Sequence, residues 1–240
     1  MKTAERHHLK QNEFAETTAR VASTLAANRD RALLIAGILV LVLVIVGGYF
    51  YWRKRTNDQA GALLGMAMSI QGSTIAPPPT VPGATQQAGT FPTEQARAEA
   101  TLKALQEVAK SYPSTEAALT ANFQIASEYL SLGRLQEAEQ AFKSVIDKAG
   151  SSIYGPMARL GLAETMSLAG RHDEAIKAFS DLAAQRDGAL PVDGVLMQLA
   201  QACEKAGKTQ DARAAFKRVV DEFPESGYAA TARQRLAALN

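Results

Sequence analysis

The sequence predicts an all-α protein in which one transmembrane helix precedes a solenoid of helix-turn-helix units with a 37-residue period. Three observations support this prediction. The 240-residue chain is 47% hydrophobic but only 6% aromatic, which is typical of alanine- and leucine-rich helices rather than of a β core. A long run near the N-terminus carries no charge, and one pattern occurs three times in the C-terminal half.

The N-terminal tail, residues 1–31, is expected to lie in the cytoplasm. Phe14, Val21 and Leu25 are spaced so that they can share one face of a helix. One interpretation is an amphipathic segment that lies at the membrane or is partly disordered, and the other is a helix that binds a partner.

Residues 32–52 are predicted to form the transmembrane helix. These 21 residues carry no charge, and at roughly 1.5 Å per residue they cover about 30 Å, the thickness of the hydrocarbon core. The run ends in aromatic and then basic residues: Tyr49, Tyr51, Trp52, Arg53, Lys54 and Arg55. A cleaved signal peptide is the alternative, but its apolar region is usually shorter and is followed by a small-residue cleavage site.

Basic residues close to the helix do not decide its orientation. Three lie on each side: Arg20, Arg29 and Arg31 before the run, and Arg53, Lys54 and Arg55 after it. The whole tail has six basic residues, whereas residues 56–92 have none. Since long domains translocate largely regardless of charge, we expect the N-terminus inside and the C-terminal domain outside.

Residues 53–72 are predicted to continue as a membrane-proximal helix, and residues 73–92 to form a proline-rich linker. Five prolines and two glycines in this linker argue against a helix or a central strand. Pro77, Pro78 and Pro79 favour a stiff polyproline stretch within a flexible spacer. A proline-motif ligand is the alternative, although no basic residue flanks the prolines.

The C-terminal domain, residues 93–240, contains an internal repeat. GRLQEAEQAF begins at Gly133, GRHDEAIKAF at Gly170 and GKTQDARAAF at Gly207, which is a spacing of 37 residues both times. The glycine can end one helix in the left-handed conformation. The alanine at the sixth position of the pattern allows two helices to approach closely, and the final phenylalanine, one turn later, fills the space beside it.

Each unit is therefore predicted to be a pair of antiparallel helices, A and B. Three repeats are expected, with half-repeats at both ends, and the helix at 56–71 is placed to pair with the first helix B. The predicted ranges are 119–152, 156–189 and 193–226 for the repeats, 93–111 for the first helix B and 229–239 for the terminal cap helix.

These residues resemble the tetratricopeptide repeat (TPR). The shared features are a large–small pair in helix A, a glycine between the helices, an alanine in helix B and a proline near the end. The large–small pairs are Ile125-Ala126, Leu162-Ala163 and Leu199-Ala200. The usual period of that family is 34 residues, so the helices or turns here are longer. At the position of this proline, the chain has Pro113 and Pro224, but Gly150 and Asp187 stand at the two intervening positions.

The whole arrangement resembles the bacterial inner-membrane TPR family that includes the ancillary subunit of the Sec translocon. That resemblance implies a periplasmic domain acting as an adaptor between the translocon and periplasmic chaperones or envelope proteins. The junctions YPSTEAALTA and FPESGYAATA are also similar to the TPR domain of the Tol-Pal-associated cell-division coordinator. That family has a cleaved signal and a coiled coil, and this chain shows neither heptads nor a convincing cleavage site.

No catalytic pattern is found, and we expect no enzyme, cofactor or metal. His172 is expected to be a solvent-exposed turn residue, and Cys203, the only cysteine, to be a small buried hydrophobic residue. No phosphate loop, HExxH or paired-cysteine motif occurs. Residues 93–240 carry seventeen Lys and Arg against nineteen Asp and Glu, so no nucleic-acid partner is expected.

A protein- or peptide-binding groove on the A helices is the principal hypothesis. Two columns at the repeat spacing are its candidate residues: Phe123, Leu160 and Met197, then Ser127, Glu164 and Gln201. The alternative for the apolar column is simple packing between neighbouring helices. The competing function is a structural scaffold whose repeats self-associate, so a homo-oligomer is left open.

Overall fold

The computed structural model describes residues 29–78, 85–185 and 188–239. Helices dominate these ranges, and the prediction of an all-α, TPR-like solenoid is confirmed. The expectations for the tail before residue 29 and for Pro79 lie outside the described residues. The chain divides into two compact units, Met1–Arg55 and Thr56–Asn240, which are described separately.

Nine helices lie in the described ranges. They are α1 Arg29–Gln71, α2 Glu94–Ser111, α3 Glu116–Ser131, α4 Leu135–Lys148, α5 Tyr154–Leu168, α6 His172–Ala183, α7 Val192–Lys205, α8 Thr209–Glu222 and α9 Ala229–Ala238. Two short strands, β1 Thr74–Ile75 and β2 Thr90–Phe91, pair in parallel.

The first unit contains the apolar part of α1. Its large apolar side chains from Leu33 to Trp52 are 43–69% exposed. Among the described helices, this one is long and apolar enough to cross a membrane. A helix that is apolar on all sides is suited to an apolar surrounding rather than to water.

The second unit begins with the end of α1, which packs as a helix A against α2. Ala60 and Ala67 are fully buried there. Ala67 belongs to a hydrophobic cluster with Leu102 and Leu105 of α2. Small residues let helix backbones approach closely, so this segment forms a helix pair with α2.

The proline-rich linker between these two helices is closed at its base by the strand pair. The N–H of Ala76 donates to the carbonyl oxygen of Phe91 at 2.9 Å. Gln86 Nε2 donates to the carbonyl oxygen of Ala76, also at 2.9 Å. The sequence predicted only a spacer for this linker. In the structure, the hydrogen bonds between β1 and β2 also hold the two ends of the linker together.

The three sequence repeats form the helix pairs α3–α4, α5–α6 and α7–α8, which we call repeats 1, 2 and 3. Each helix packs against the next along the chain. At the C-terminal end, Ala232 is fully buried and Leu236 and Leu239 pack against the core of repeat 3. Helix α9 therefore covers the apolar face of the last repeat.

The glycine of each repeat ends helix A in the left-handed conformation. The φ angles are 70° at Gly133, 78° at Gly170 and 71° at Gly207. In repeat 1, the N–H of Arg134 donates to the carbonyl oxygen of Tyr129 at 2.9 Å, and the N–H of Gly133 donates to that of Leu130 at 3.0 Å. This pair of bonds is the Schellman motif, which satisfies carbonyl groups at a helix end.

The alanine and phenylalanine columns form the core of the repeats. The three alanines are fully buried, and the three phenylalanine rings are at most 1% exposed. These residues are Ala138, Ala175, Ala212, Phe142, Phe179 and Phe216. The repeated pattern is thus a packing pattern.

Ion pairs connect the starts of successive B helices. Arg171 Nη2 lies 2.5 Å from Glu139 Oε2, and Lys208 Nζ lies 2.7 Å from Asp173 Oδ1. Lys143 and Arg171 hold the pKa of Glu139 below its usual value. The contacts of Arg171 and Lys208 each join one repeat to the next.

Candidate partner-binding groove

The six candidate residues lie in register on three successive A helices, and four of them line one cavity. Phe123 and Ser127 of α3 and Leu160 and Glu164 of α5 surround a space of about 520 Å³. The described residues that complete its lining are Leu130, Ser131, Phe142, Met157, Gly161, Leu168 and Leu190. We call this space the A-helix groove.

The structure does not bring the two candidates of repeat 3 into this groove. Met197 is 4% exposed and belongs to the hydrophobic core of repeat 3. Gln201 is exposed outside the cavity. Leu190, just before α7, both lines the groove and packs against the core that contains Met197. The groove is therefore formed by repeats 1 and 2 and the segment before repeat 3.

Aromatic contacts hold Phe123 in place. Its ring centroid lies 6.1 Å from that of Phe142, at an interplanar angle of 63°. It also lies 5.5 Å from the ring of Tyr154. Thr120 Oγ1 donates to the hydroxyl oxygen of Tyr154 at 2.9 Å, which fixes that second ring. Edge-to-face geometry of the kind formed with Phe142 adds to the stabilisation from burial.

Gly161 is a groove residue that sequence reasoning missed. A Cβ atom at this position would lie 2.4 Å from Cζ of Phe142, so only glycine accommodates the ring. The corresponding positions in repeats 1 and 3 are Gln124 and Gln198. A glycine inside a predicted helix, where the other two repeats have glutamine, is the signal that could have identified it.

The described residues that line the groove carry one carboxylate and two hydroxyl groups as polar side-chain groups. Glu164 is half-buried, and none of the described residues forms a hydrogen bond or ion pair with it. Ser127 Oγ donates to the carbonyl oxygen of Phe123 at 3.1 Å. Ser131 Oγ donates to that of Glu128 at 2.9 Å. Both hydroxyl protons are therefore engaged within α3.

A larger cavity of about 790 Å³ lies beside the base of the linker. Its polar groups largely bond to one another: Gln71 Nε2 donates to Glu128 Oε1 at 2.7 Å, and Arg97 Nη1 donates to the carbonyl oxygen of Ser73 at 3.2 Å. These bonds connect the N-terminal helix pair to the linker and to repeat 1, which is a structural role.

The two residues considered for chemistry are parts of the repeat. Cys203 is 1% exposed, as predicted for a small buried hydrophobic residue, and burial raises the pKa of its thiol. His172 is the first residue of α6 and is half-buried rather than exposed. In the described part of the chain, no three His, Cys, Asp or Glu side chains are grouped to hold a metal ion.

Comparisons with known proteins agree with this architecture. The family described as tetratricopeptide repeat-like domain matches residues 29–190. The family described as tetratricopeptide repeat matches residues 195–226. Among curated proteins, no match is found.

Two solved structures show the same fold at low identity. A Podosopora anserina chain of nearly identical TPR-like repeats is 17% identical, with a TM-score of 0.52 over 61% of this chain and 79% of that one. A MamA double mutant from strain RS-1 of Desulfovibrio magneticus is 15% identical, with a TM-score of 0.55 over 77% of this chain and 85% of that one.

Tetratricopeptide repeats stack into surfaces that bind other proteins, and they are typically scaffolds rather than catalytic centres. The first family match covers more than half of the 240 residues. The chain therefore belongs to the tetratricopeptide repeat-like domain family, and its repeats form a protein-interaction module.

Proposed function

We propose that this protein is a membrane-anchored adaptor that holds a segment of a partner protein in the A-helix groove. The groove itself is the observation that carries the proposal. It combines half-buried apolar side chains such as Phe123 and Leu160 with a carboxylate that no described residue pairs with, on a fold whose repeats bind proteins. An apolar surface left open to solvent on such a fold is suited to interaction with another chain.

The anchor in this proposal is the apolar part of α1. Aromatic residues from Tyr49 to Trp52 and the basic residues that follow are suited to a membrane–water interface. The family match starts at residue 29 and so includes this apolar segment together with the repeats that follow it. This supports a membrane anchor joined to the repeats. The proposed location is the bacterial inner membrane, with the N-terminus in the cytoplasm and the repeats in the periplasm.

The proposed partners follow from the resemblance to the inner-membrane TPR family. They are the Sec translocon and periplasmic chaperones or envelope proteins. A Tol-Pal-type coordinator of cell division is the alternative partner set. Identification of the proteins that copurify with the chain from membranes separates these two sets.

A matched pair of exposed residues tests the role of the groove. Leu168 lines it and Ile153 does not, yet both are 51% exposed. Leu168→Asp places a charge at the groove, and we expect loss of partner proteins in affinity purification at unchanged protein level. Ile153→Asp is expected to recover them like the wild type. If both variants recover partner proteins in equal amounts, the groove is not the binding site and this part of the proposal is wrong.

Self-association is the competing function, and it predicts a different result. Size measurement of the detergent-solubilised full chain would then give a stable dimer that persists in Leu168→Asp. A monomer that recovers other proteins supports the adaptor.

A further inference from the structure

We infer that the A-helix groove selects an apolar segment carrying a lysine or arginine, and rejects a segment with a carboxylate in that place. This inference rests on the proposed function, that the groove holds a protein segment, and it specifies the chemistry of that segment.

Glu164 supplies the charge for this selection. It is the one charged side chain among the described residues that line the groove. Several acidic residues elsewhere in the repeats have basic partners; Glu137, for example, lies 2.8 Å from Arg134. Glu164 is half-buried without such a partner among the described residues. A half-buried carboxylate gains from a cation that arrives with the ligand.

The two serines favour the same ligand. The hydroxyl groups of Ser127 and Ser131 donate to backbone carbonyls, and their oxygen atoms can accept a further hydrogen bond from a ligand. Among the described residues that line the groove, the polar side chains therefore offer oxygen atoms that can accept hydrogen bonds. A lysine or arginine side chain brings only donors and satisfies these groups. An incoming carboxylate would face the negative charge of Glu164.

The remaining lining sets the apolar part of the ligand. Phe123, Met157 and Leu160 lie on this lining, and Leu130, Leu168 and Leu190 complete it. Pockets of about 300–1,000 Å³ enclose groups the size of a small molecule. A space of about 520 Å³ therefore accepts a few side chains of one segment rather than a folded domain.

Three blocked peptides test the inference. Each is acetylated and amidated, so that no terminal charge takes part, and has leucines at helical spacing. They differ at one central position, which is lysine, glutamate or the uncharged norleucine. Fluorescence anisotropy with detergent-solubilised full chain measures the affinity. We expect the lysine peptide to bind about tenfold or more tightly than the glutamate peptide, with a difference that shrinks in high salt.

Variants locate the effect at the carboxylate. Glu164→Gln keeps the shape and is expected to remove the preference for lysine over norleucine. Glu164→Lys is expected to reverse the order of the lysine and glutamate peptides. The matched control is Glu225→Gln, an exposed position outside the groove that should leave all three affinities unchanged.

The outcomes separate this inference from the proposed function. If all three peptides bind equally and Leu168→Asp weakens all of them, the groove binds segments but the selection for a cation is wrong. If the glutamate peptide binds most tightly, the selection is likewise overturned. If none of the three peptides binds, or if Leu168→Asp leaves the affinity of every peptide unchanged, both the proposed function and the inference fail.

Discussion

Glycines determine the local geometry of the repeats in two different ways. Gly133, Gly170 and Gly207 adopt a left-handed conformation in turns. Gly161 has ordinary helical geometry but lies against the ring of Phe142. The first role could be predicted from the repeated position of glycine between two helices. For the second, the sequence offers only the glycine in place of glutamine; its contact with Phe142 depends on the distance between two helices, which only packing determines.

The turn glycines are expected to resist substitution. Gly170→Ala places a Cβ atom at a φ of 78° and should destabilise the protein by about 1–2 kcal/mol. Chemical unfolding of the detergent-solubilised chain, followed by the helical circular-dichroism signal, measures this cost. Gly227→Ala, in open space and without a positive φ, should change stability by less than about 0.5 kcal/mol. Equal costs for the two variants would contradict the account of the turn.

The close approach at Gly161 predicts coupling with Phe142. Gly161→Ala would put a Cβ atom 2.4 Å from the ring, so overpacking should cost about 1–3 kcal/mol. Phe142→Leu alone should also destabilise, because it removes a buried ring. The double variant should lose less stability than the sum of the two single variants. Strict additivity would show that the ring and the glycine do not constrain each other.

At the scale of single elements, the structure packs the segment 56–71 against α2. The sequence placed it before a linker and, as one arrangement, beside the first helix B. Ala60 and Ala67 of this segment are buried, and Ala67 packs in a cluster with Leu102 and Leu105 of α2. An alanine-rich helix of mixed polarity does not reveal on its own which neighbour covers it, so this packing could not be derived from periodicity.

Two fragments test where the folded unit begins. The fragment 56–239 retains the segment 56–71 that packs against α2. The fragment 93–239 lacks this segment, so Leu102, Leu105 and Val108 of α2 lose their contacts with it. Exposure of this face should cost about 3 kcal/mol, and the melting temperature of the shorter fragment should fall by about 6–12 °C. Equal melting temperatures would support the boundary at residue 93 that the sequence predicted.

The ion pairs between repeats predict a pH dependence of stability. Lys143 and Arg171 lower the pKa of Glu139 in the folded protein. A lowered folded pKa stabilises the protein above the unfolded value of about 4.3, and this contribution is lost as the pH falls through the folded value. Glu139→Gln should therefore cost about 0.5–1 kcal/mol at pH 7.

Thermal unfolding at several pH values checks this expectation. The melting temperatures of Glu139→Gln and the wild type should differ at pH 7 and converge as the pH falls through the lowered pKa of Glu139 in the folded protein. Glu225→Gln, an exposed control without a described ion pair, should follow the wild type throughout. A difference that persists in acid would mean that Glu139 acts through packing rather than charge.

At the scale of the whole molecule, the repeat period was sufficient to predict the class of fold. The glycine, alanine and phenylalanine columns, which repeat at a spacing of 37 residues, indicate stacked helix pairs without any structural knowledge. The extent of the groove was harder to predict. The sequence treats Phe123, Leu160 and Met197 as equivalent, but Met197 is buried in the core against which Leu190 packs. Leu190, just before α7, is the described residue of that region that lines the groove.

Membrane topology has its own test. A reporter enzyme that is active only outside the cytoplasm, fused after Asn240, is expected to be active in bacteria that produce the full chain. The reason is that the six basic residues of the tail favour retention of the N-terminus inside. Activity of a reporter that works only in the cytoplasm would reverse the orientation and remove the periplasmic partners.

The central claim is that the A-helix groove holds a segment of another protein. In-cell photocross-linking from positions 123 and 160 tests it most directly, with position 153 as an exposed control outside the groove. We predict one discrete adduct from both groove positions, containing the same partner protein, and no such adduct from position 153. The same adduct from all three positions, or none from the groove, would contradict the claim.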